Sequence, residues 1–207
     1  ALHRIEPASL FLWIDYASIP QSNAHLQMLA IESLSLYALA SHYFVVLAPD
    51  ATHADSRLPC NDDTYSRRGW CRLEQWARMT GGLKGMYLFG PSATLTPLTD
   101  HDDGWCARSV HVFEGAFTVE SDRERIVQTV LGLWALVLHG KATSADDEKS
   151  PAAVLHQLVQ ASYERAFPAE LFRGKSGRYL PELLEALCTG LCEAAKRADG
   201  RPNRAGE

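Results

Sequence analysis

One stretch near the start of the chain decides the predicted fold: Leu10-Phe11-Leu12-Trp13-Ile14-Asp15-Tyr16-Ala17-Ser18-Ile19-Pro20-Gln21. Its first five residues are all apolar, which is typical of a strand that helices cover on both faces. Asp15 ends this run, and the residues after it predict a loop stiffened by Pro20. In open α/β sheets, ligands bind at the carboxyl ends of the strands. Asp15 is therefore either a site residue or only the cap of a turn.

Strand and helix patterns alternate after this stretch. Short apolar runs predict further strands at 43–47, 86–89 and 110–113. Helical spacing of apolar residues predicts helices at 24–40, 69–80 and 125–138, the last preceded by a capping box at 121–124. This alternation predicts an α/β domain with a mostly parallel sheet flanked by helices, extending from residue 1 to residue 140.

The pattern changes after residue 140. Residues 141–150 are polar and predict a linker, and residues 151–207 predict a helical extension without strands. Within this extension, helices are predicted at 151–165 and 179–197. Because the first residue is Ala rather than Met, we expect the chain to be a piece of a longer protein.

Composition excludes several classes of protein. The 207 residues are 46% hydrophobic and carry a net charge of −5, so the chain is neither wholly disordered nor basic enough to bind bulk nucleic acid or an anionic membrane. The five cysteines are odd in number and scattered, which indicates free thiols in a reducing compartment, the cytoplasm. The longest apolar run, 130–138, is shorter than the roughly 20 residues of a membrane span.

The second informative segment is Arg67-Arg68-Gly69-Trp70-Cys71-Arg72-Leu73-Glu74. Glu74 falls in the first turns of a predicted helix, at the same sheet edge as Asp15, and Trp70 lies on its helix face. A carboxylate beside an aromatic wall could stabilise a developing cation. Alternatively, Trp70 belongs to the core and Glu74 is a solvated residue paired with one of the nearby arginines Arg67, Arg72 and Arg78.

The same arginines admit two interpretations. Arg67, Arg68 and Arg72 could together contact a phosphate, which suits a dinucleotide ligand, or they could pair with nearby carboxylates such as Asp62 and Asp63. A third segment, 112–118, ends an apolar run with Glu114 and Gly115 and predicts a connecting turn. The cysteines and histidines lack metal-ligand spacing, so no metal site is predicted.

These motifs resemble those of a known family. Trp70, Cys71 and Glu74 match the Trp-Cys-x-x-Glu helix start of Toll/interleukin-1-receptor (TIR) domains. The stretch 13–21 is similar to the Trp-Ile-Asp…Cys-Ile-x-Gln signature of the related fungal heterokaryon-incompatibility domain, with Ser18 in place of its cysteine. The resemblance covers residues 8–140.

The resemblance implies a fold and a reaction. It implies a flavodoxin-like sheet whose first strand is missing, because at most nine residues precede Leu10. It also implies a signalling or defence protein in which Glu74 cleaves the bond between nicotinamide and ribose in NAD. The substrate-binding residues would be Asp15, Ser18, Gln21, Arg68 and Trp70, with NAD as a substrate and no cofactor.

Two alternatives remain open. The chain could be a non-catalytic TIR-like module that acts by self-association, by contact with other TIR-like domains, or by binding a nucleotide signal. It could also be a nucleotide-binding or nucleoside-processing enzyme that shares only the fold.

Overall fold

The computed structural model describes residues 10–98, 103–144 and 147–198. The helices are α1 Asp15–Ser18, α2 Ala24–Glu32, α3 Leu34–Ala40, α4 Asp62–Ser66, α5 Gly69–Thr80, α6 Asp103–Val110, α7 Asp122–Arg125, α8 Val127–Thr143, α9 Pro151–Gln160, α10 Tyr163–Ala166, α11 Ala169–Phe172 and α12 Leu180–Ala198. The strands are β1 Phe44–Leu47, β2 Ala51–Thr52, β3 Pro59–Cys60, β4 Met86–Phe89 and β5 Leu95–Pro97.

A small mixed sheet with the strand order β1-β4-β5 lies among these helices. β1 and β4 are parallel, with Phe44 opposite Met86, whereas β4 and β5 are antiparallel. The prediction of a mixed α/β chain is confirmed, but the prediction of a mostly parallel sheet is wrong. The reason is the tight turn after β4, in which the Ala93 N–H donates to the Gly90 carbonyl (3.0 Å) and the chain reverses into β5.

The opening stretch 10–14 was predicted as a buried strand, and this prediction is wrong. Within the described residues it pairs with no strand, and its side chains are exposed. An apolar run becomes a strand only when a neighbour satisfies its main-chain groups, and no strand among the described residues does so. The loop predicted after Asp15 begins instead as the helical turn α1.

The run 110–113 was also wrongly predicted as a strand. It comprises the end of α6 and a 3-10 turn, Val112–Glu114, that follows it. Val110, Val112 and Phe113 are buried, so the apolar pattern was right while the backbone type was not. A short buried run has the same sequence signature in either conformation. The connecting turn predicted over 112–118 contains this 3-10 turn at its start, but it follows a helix rather than a strand.

Three of the predicted helices are present in the structure. α5 spans the predicted residues, and α12 and α8 match their predictions apart from their ends. The predicted helix 24–40 is divided at Ser33, whose hydroxyl donates to the Leu29 carbonyl (2.8 Å). Ser121 makes no side-chain cap, so the predicted capping box does not form.

One buried cluster joins the sheet to the later helices. Trp76 of α5 and Trp134 of α8 both contact Phe167, which follows α10. α8 continues through Thr143, into the predicted linker, and Ser150 then caps α9 by accepting from the Ala153 N–H (3.2 Å). The domain boundaries at 140 and 150 stay a prediction, and the last nine residues lie outside the described part.

Among the described residues, one helical stretch, Asp122–Thr143, is long and apolar enough to cross a membrane by length and composition alone. Core helices of globular proteins share these properties. Here Val130, Leu133, Trp134 and Val137 pack into the buried cluster, so this stretch is weak evidence for a span.

Candidate functional site

The start of α5 is built by a close approach of two backbone segments. The Gly69 N–H donates to the Ala116 carbonyl (2.9 Å), and the Ala116 N–H donates to the Arg67 carbonyl (2.7 Å). A Cβ on Gly69 would lie 2.0 Å from the Phe117 ring, and one on Gly115 would lie 2.5 Å from the Gly69 backbone. A Cβ at Gly115 would therefore collide with the backbone at the start of α5, whereas one at Gly69 would displace the Phe117 ring.

Arg72 holds the preceding helix against α5. Its guanidinium is buried and donates to the carbonyls of Ser66 (2.7 Å) and His111 (2.8 Å). The short helix α4 is itself fixed by a capping box in which the Asn61 side chain accepts from the Thr64 N–H (3.1 Å). These contacts set the position of Tyr65, in the last turn of α4, relative to α5.

Five side chains from three elements interact electrostatically at this place: Asp15 of α1, Tyr65 of α4, and Arg68, Cys71 and Glu74 at the start of α5. The structure thus brings together three of the predicted site residues, which are Glu74, Asp15 and Arg68. Tyr65 also hydrogen-bonds to the Cys71 side chain.

Glu74 is a partly buried carboxyl with an unusual affinity for protons. Burial, followed by the negative charge of Asp15, raises its pKa to about 7, while the Arg68 guanidinium opposes this change. Close to neutral pH the side chain therefore exchanges between a proton donor and a carboxylate, as a general acid or base must.

The pKa values of Tyr65 and Cys71 are raised as well. Burial raises the pKa of the Cys71 thiol to about 12 and that of Tyr65 well above its usual value, and the Glu74 charge adds to both effects. Both groups are therefore neutral at physiological pH. Cys71 is an inert thiol here rather than a nucleophile.

The ion pairs predicted as an alternative for Glu74 do not form among the described residues. Arg67 pairs with Asp63, as the second interpretation of the arginines predicted. Arg72 donates to the carbonyls of Ser66 and His111. Arg78 donates to the carbonyls of Gly82 and Lys84. Of the three clustered arginines, Arg68 is the exposed cation that lies near Glu74.

The remaining predicted residues make local contacts. The Ser18 hydroxyl accepts from the Ile14 N–H (3.0 Å), and the Gln21 amide donates to the Ile19 carbonyl (2.9 Å). Trp70 packs against Phe117 and donates its indole N–H to Asp122 (3.1 Å), so it also serves the core, as its alternative interpretation predicted. Their substrate-binding roles stay predictions.

Sequence reasoning missed Tyr65. It precedes Glu74 by nine residues, but a break between α4 and α5 separates the two, so no helical or strand periodicity relates them. The aromatic residue in the polar stretch before Arg67 was its one visible signal. In the described part of the chain, no three His, Cys, Asp or Glu side chains are grouped to hold a metal ion.

Comparisons of the chain with protein-family models, with curated proteins and with solved structures give no match. The resemblance to TIR domains therefore rests on the quoted motifs.

Proposed function

We propose that this chain is a TIR-like signalling or defence module in which Glu74 cleaves the nicotinamide–ribose bond of NAD. The observation that supports this most is the partly buried Glu74 carboxyl, whose pKa of about 7 is set by burial, Asp15 and Arg68. Tuned carboxyls of this kind cluster at functional sites. The parallel pairing of β1 with β4 is compatible with a flavodoxin-like strand order, which we propose together with a cytoplasmic location.

The chemistry suits a single carboxylate. The bond between the ribose C1′ and the nicotinamide nitrogen breaks, and its electron pair leaves with the nitrogen, so the cationic ring departs as neutral nicotinamide. The ribose is left as an oxocarbenium ion, which a water oxygen captures before losing a proton. Ionised Glu74 stabilises this positive charge, and low exposure to water strengthens the interaction.

The neighbouring charges have complementary roles in this proposal. Arg68 is exposed at the first turn of α5 and would contact the diphosphate of the dinucleotide. Asp15 adds a second negative charge near Glu74, which favours a cationic pyridinium ring over a neutral one. The turn 15–18 and Gln21 would border the substrate, with Trp70 holding the start of α5 in place.

The proposal is tested by incubating the purified protein with NAD and measuring free nicotinamide. We expect Glu74→Gln, which keeps the shape and removes the charge, to lose at least 100-fold in rate. The matched control is Glu124→Gln, which alters an exposed glutamate of α7 and should retain the wild-type rate. Equal nicotinamide release by the wild type and Glu74→Gln would remove Glu74 as the catalyst.

A second function, self-association without catalysis, is favoured by a different observation. Large apolar side chains are exposed over residues 10–47, including Phe11, Leu12, Leu36, Val45 and Leu47. Exposed apolar side chains mark interaction sites where they form a common surface. This function predicts a concentration-dependent increase in mass, whether or not NAD is cleaved.

A further inference from the structure

The side chains of His111 and Ser162 form a hydrogen bond that the Glu74 site does not use. The His111 Nε2 and the Ser162 Oγ lie 2.6 Å apart, although the two residues are separated by 51 positions in the chain. His111 lies between α6 and the 3-10 turn Val112–Glu114, and Ser162 lies between α9 and α10. The packing of two separate parts of the chain therefore creates this pair.

A carboxylate faces the second nitrogen of the same imidazole. The Glu114 Oε2 is 3.9 Å from the His111 Nδ1, so the carboxylate acts through its charge rather than through a direct hydrogen bond. Serine, imidazole and carboxylate thus follow one another in the order that activates a serine hydroxyl in acyl-transfer enzymes. The negative charge favours the imidazole tautomer with its proton on Nδ1, which leaves Nε2 as the acceptor.

The protonation state of His111 suits a general base. Burial, followed by the positive charge of Arg165, lowers the pKa of His111, and Arg72 adds to this effect while Glu114 opposes it. The imidazole is therefore neutral at physiological pH, and its Nε2 can accept a proton. The side chain of His111 is only 5% exposed, so bulk water competes little for that nitrogen.

Two acceptors compete for the single proton of the Ser162 hydroxyl. The Leu158 carbonyl oxygen is 3.3 Å from the Ser162 Oγ, whereas the His111 Nε2 is 2.6 Å from it. The shorter contact is the stronger one, so His111 is the favoured acceptor. Ser162 is partly exposed, which allows a small molecule to approach its hydroxyl.

A groove of about 1210 Å³ adjoins the pair. It is lined by Glu114, which faces His111, by Tyr163, which follows Ser162, and by Arg165, which donates two hydrogen bonds to Glu114. The groove is further lined by charged side chains of both signs, Glu164, Glu170, Glu182, Arg173 and Arg178. Such a lining selects neither a strongly acidic nor a strongly basic ligand, so it suits a neutral one.

We propose that Ser162 and His111 form a second reactive site, in which the serine hydroxyl takes the acyl group of a neutral carboxylic ester. The Ser162 Oγ attacks the ester carbonyl carbon, and the His111 Nε2 takes the hydroxyl proton. The bond between that carbon and the alcohol oxygen then breaks, and the alcohol leaves with the proton from Nε2. Water attacks the acyl-serine next, so that a carboxylic acid is released and the proton returns through Nε2 to Oγ. This activity goes beyond NAD cleavage and does not involve Glu74.

The organophosphorus probe diisopropyl fluorophosphate tests the nucleophile directly. Its phosphorus forms a bond to an activated serine oxygen, fluoride leaves, and the serine proton passes to the base. We expect one phosphoryl group per chain, which peptide mass spectrometry should locate on Ser162. Ser162→Ala should abolish labelling, and His111→Gln should slow it by about 100-fold.

The matched controls are Ser121→Ala and His139→Gln, which alter exposed residues outside the pair and should be labelled at the wild-type rate. A protein that is not labelled, or is labelled mainly on other residues, overturns the proposal. An unchanged labelling rate in folded His111→Gln also overturns it.

The tautomer of His111 keeps the test decisive if His111→Gln fails to fold, which its thermal transition would show. Nitrogen-15 NMR of the wild type distinguishes an imidazole proton on Nδ1 from one on Nε2. We expect neutral His111 to carry its proton on Nδ1. A proton on Nε2 would make His111 the donor to Ser162 and would contradict the proposal.

Hydrolysis of p-nitrophenyl acetate tests the complete acyl transfer. We expect Ser162→Ala to release nitrophenolate at least about tenfold more slowly than the wild type, and Ser121→Ala to match the wild type. Equal rates in the wild type and Ser162→Ala overturn the proposal. Since neither the probe nor the ester assay uses NAD or alters Glu74, such a failure leaves the proposed NAD cleavage to its own test.

Discussion

Residues 69–172 bury most of their large apolar side chains, whereas residues 10–47 expose many of theirs, although Leu34 and Val46 are buried. Trp76, Trp134, Phe167 and Phe172 are all 0% exposed and contact one another around Phe167. Phe11 and Leu12 belong to the same class of residue but lie in solvent. Burial of apolar side chains in residues 69–172 therefore contributes most of the free energy of folding. The exposed apolar side chains of residues 10–47 contribute less and stay accessible to other molecules. Glu74 lies where the two regions meet, since Asp15 belongs to one and α5 to the other.

The largest expected effect separates the two regions by stability. Phe167→Ala removes the ring that Trp76, Trp134 and Phe172 contact, and should lower the free energy of unfolding by about 3–5 kcal/mol. Phe11→Ala in the monomer should change it by less than about 0.5 kcal/mol. Urea denaturation measures both values. Equal losses would contradict the division of the chain into a buried and an exposed apolar region.

The next effect concerns the place where the two regions meet. Because the pKa of Glu74 is raised from 4.5 to about 7, the folded protein binds more protons than the unfolded chain between these pH values. Stability is therefore lost as pH rises through this window, by up to about 3 kcal/mol. Glu74→Gln should recover this loss at pH 8.5 and match the wild type near pH 4.5, as urea midpoints at both pH values would show.

Glu124→Gln controls for the general removal of a negative charge, and should change stability by less than about 0.5 kcal/mol at either pH. If Glu74→Gln is less stable than the wild type at pH 8.5, then the carboxylate is stabilised by its surroundings and its pKa is not raised.

A smaller effect tests whether Asp15 acts on Glu74 across the junction. Asp15→Asn removes one of the charges that raise the pKa of Glu74, so the loss of stability should still begin near pH 4.5 but end at a lower pH, and shrink by about 1 kcal/mol. When Asp15→Asn is made in the Glu74→Gln protein, it should have little further effect on stability, because residue 74 then has no carboxylate for Asp15 to repel. The effects of the two substitutions should therefore not add in the double variant. Full additivity would show that the two side chains do not interact.

The smallest expected effect concerns an exposed ion pair within residues 69–172. Arg165 donates two hydrogen bonds to Glu114, with Nε–Oε1 and Nη2–Oε2 distances of 2.6 and 2.8 Å, but both side chains are substantially exposed. Solvent weakens such pairs, so Arg165→Ala should lower the free energy of unfolding by about 0.5 kcal/mol. A loss above about 2 kcal/mol, measured by urea denaturation, would mean that α10 depends on this pair.

The sequence predicted the elements that a single local pattern specifies. The amphipathic spacing of α5 and the paired apolar strands β1 and β4 were found, because each is encoded within a few residues. The segment 10–14 was not, because an apolar run cannot show whether a neighbouring strand exists to pair with it. The run 110–113 failed for a related reason, since a buried turn and a buried strand require the same apolar residues.

The candidate site was predicted in part. Glu74 and Arg68 were found from one motif, and Asp15 from the expectation that it shares their edge, although Asp15 begins a helical turn rather than ending a strand. Tyr65 was missed because its position depends on the hydrogen bond from Arg72 to the Ser66 carbonyl, which joins α4 to α5. Such a contact produces no periodic pattern in the sequence.

The most direct test of the central claim is the pH dependence of kcat/KM for nicotinamide release from NAD, measured from pH 5 to pH 9. This ratio reports the ionisation of the free protein. We expect the wild-type value to rise with an apparent pKa of about 7, set by Glu74, and to reach a plateau above it. Glu74→Gln should show neither the rise nor the plateau. A profile that is the same in both proteins would contradict the account.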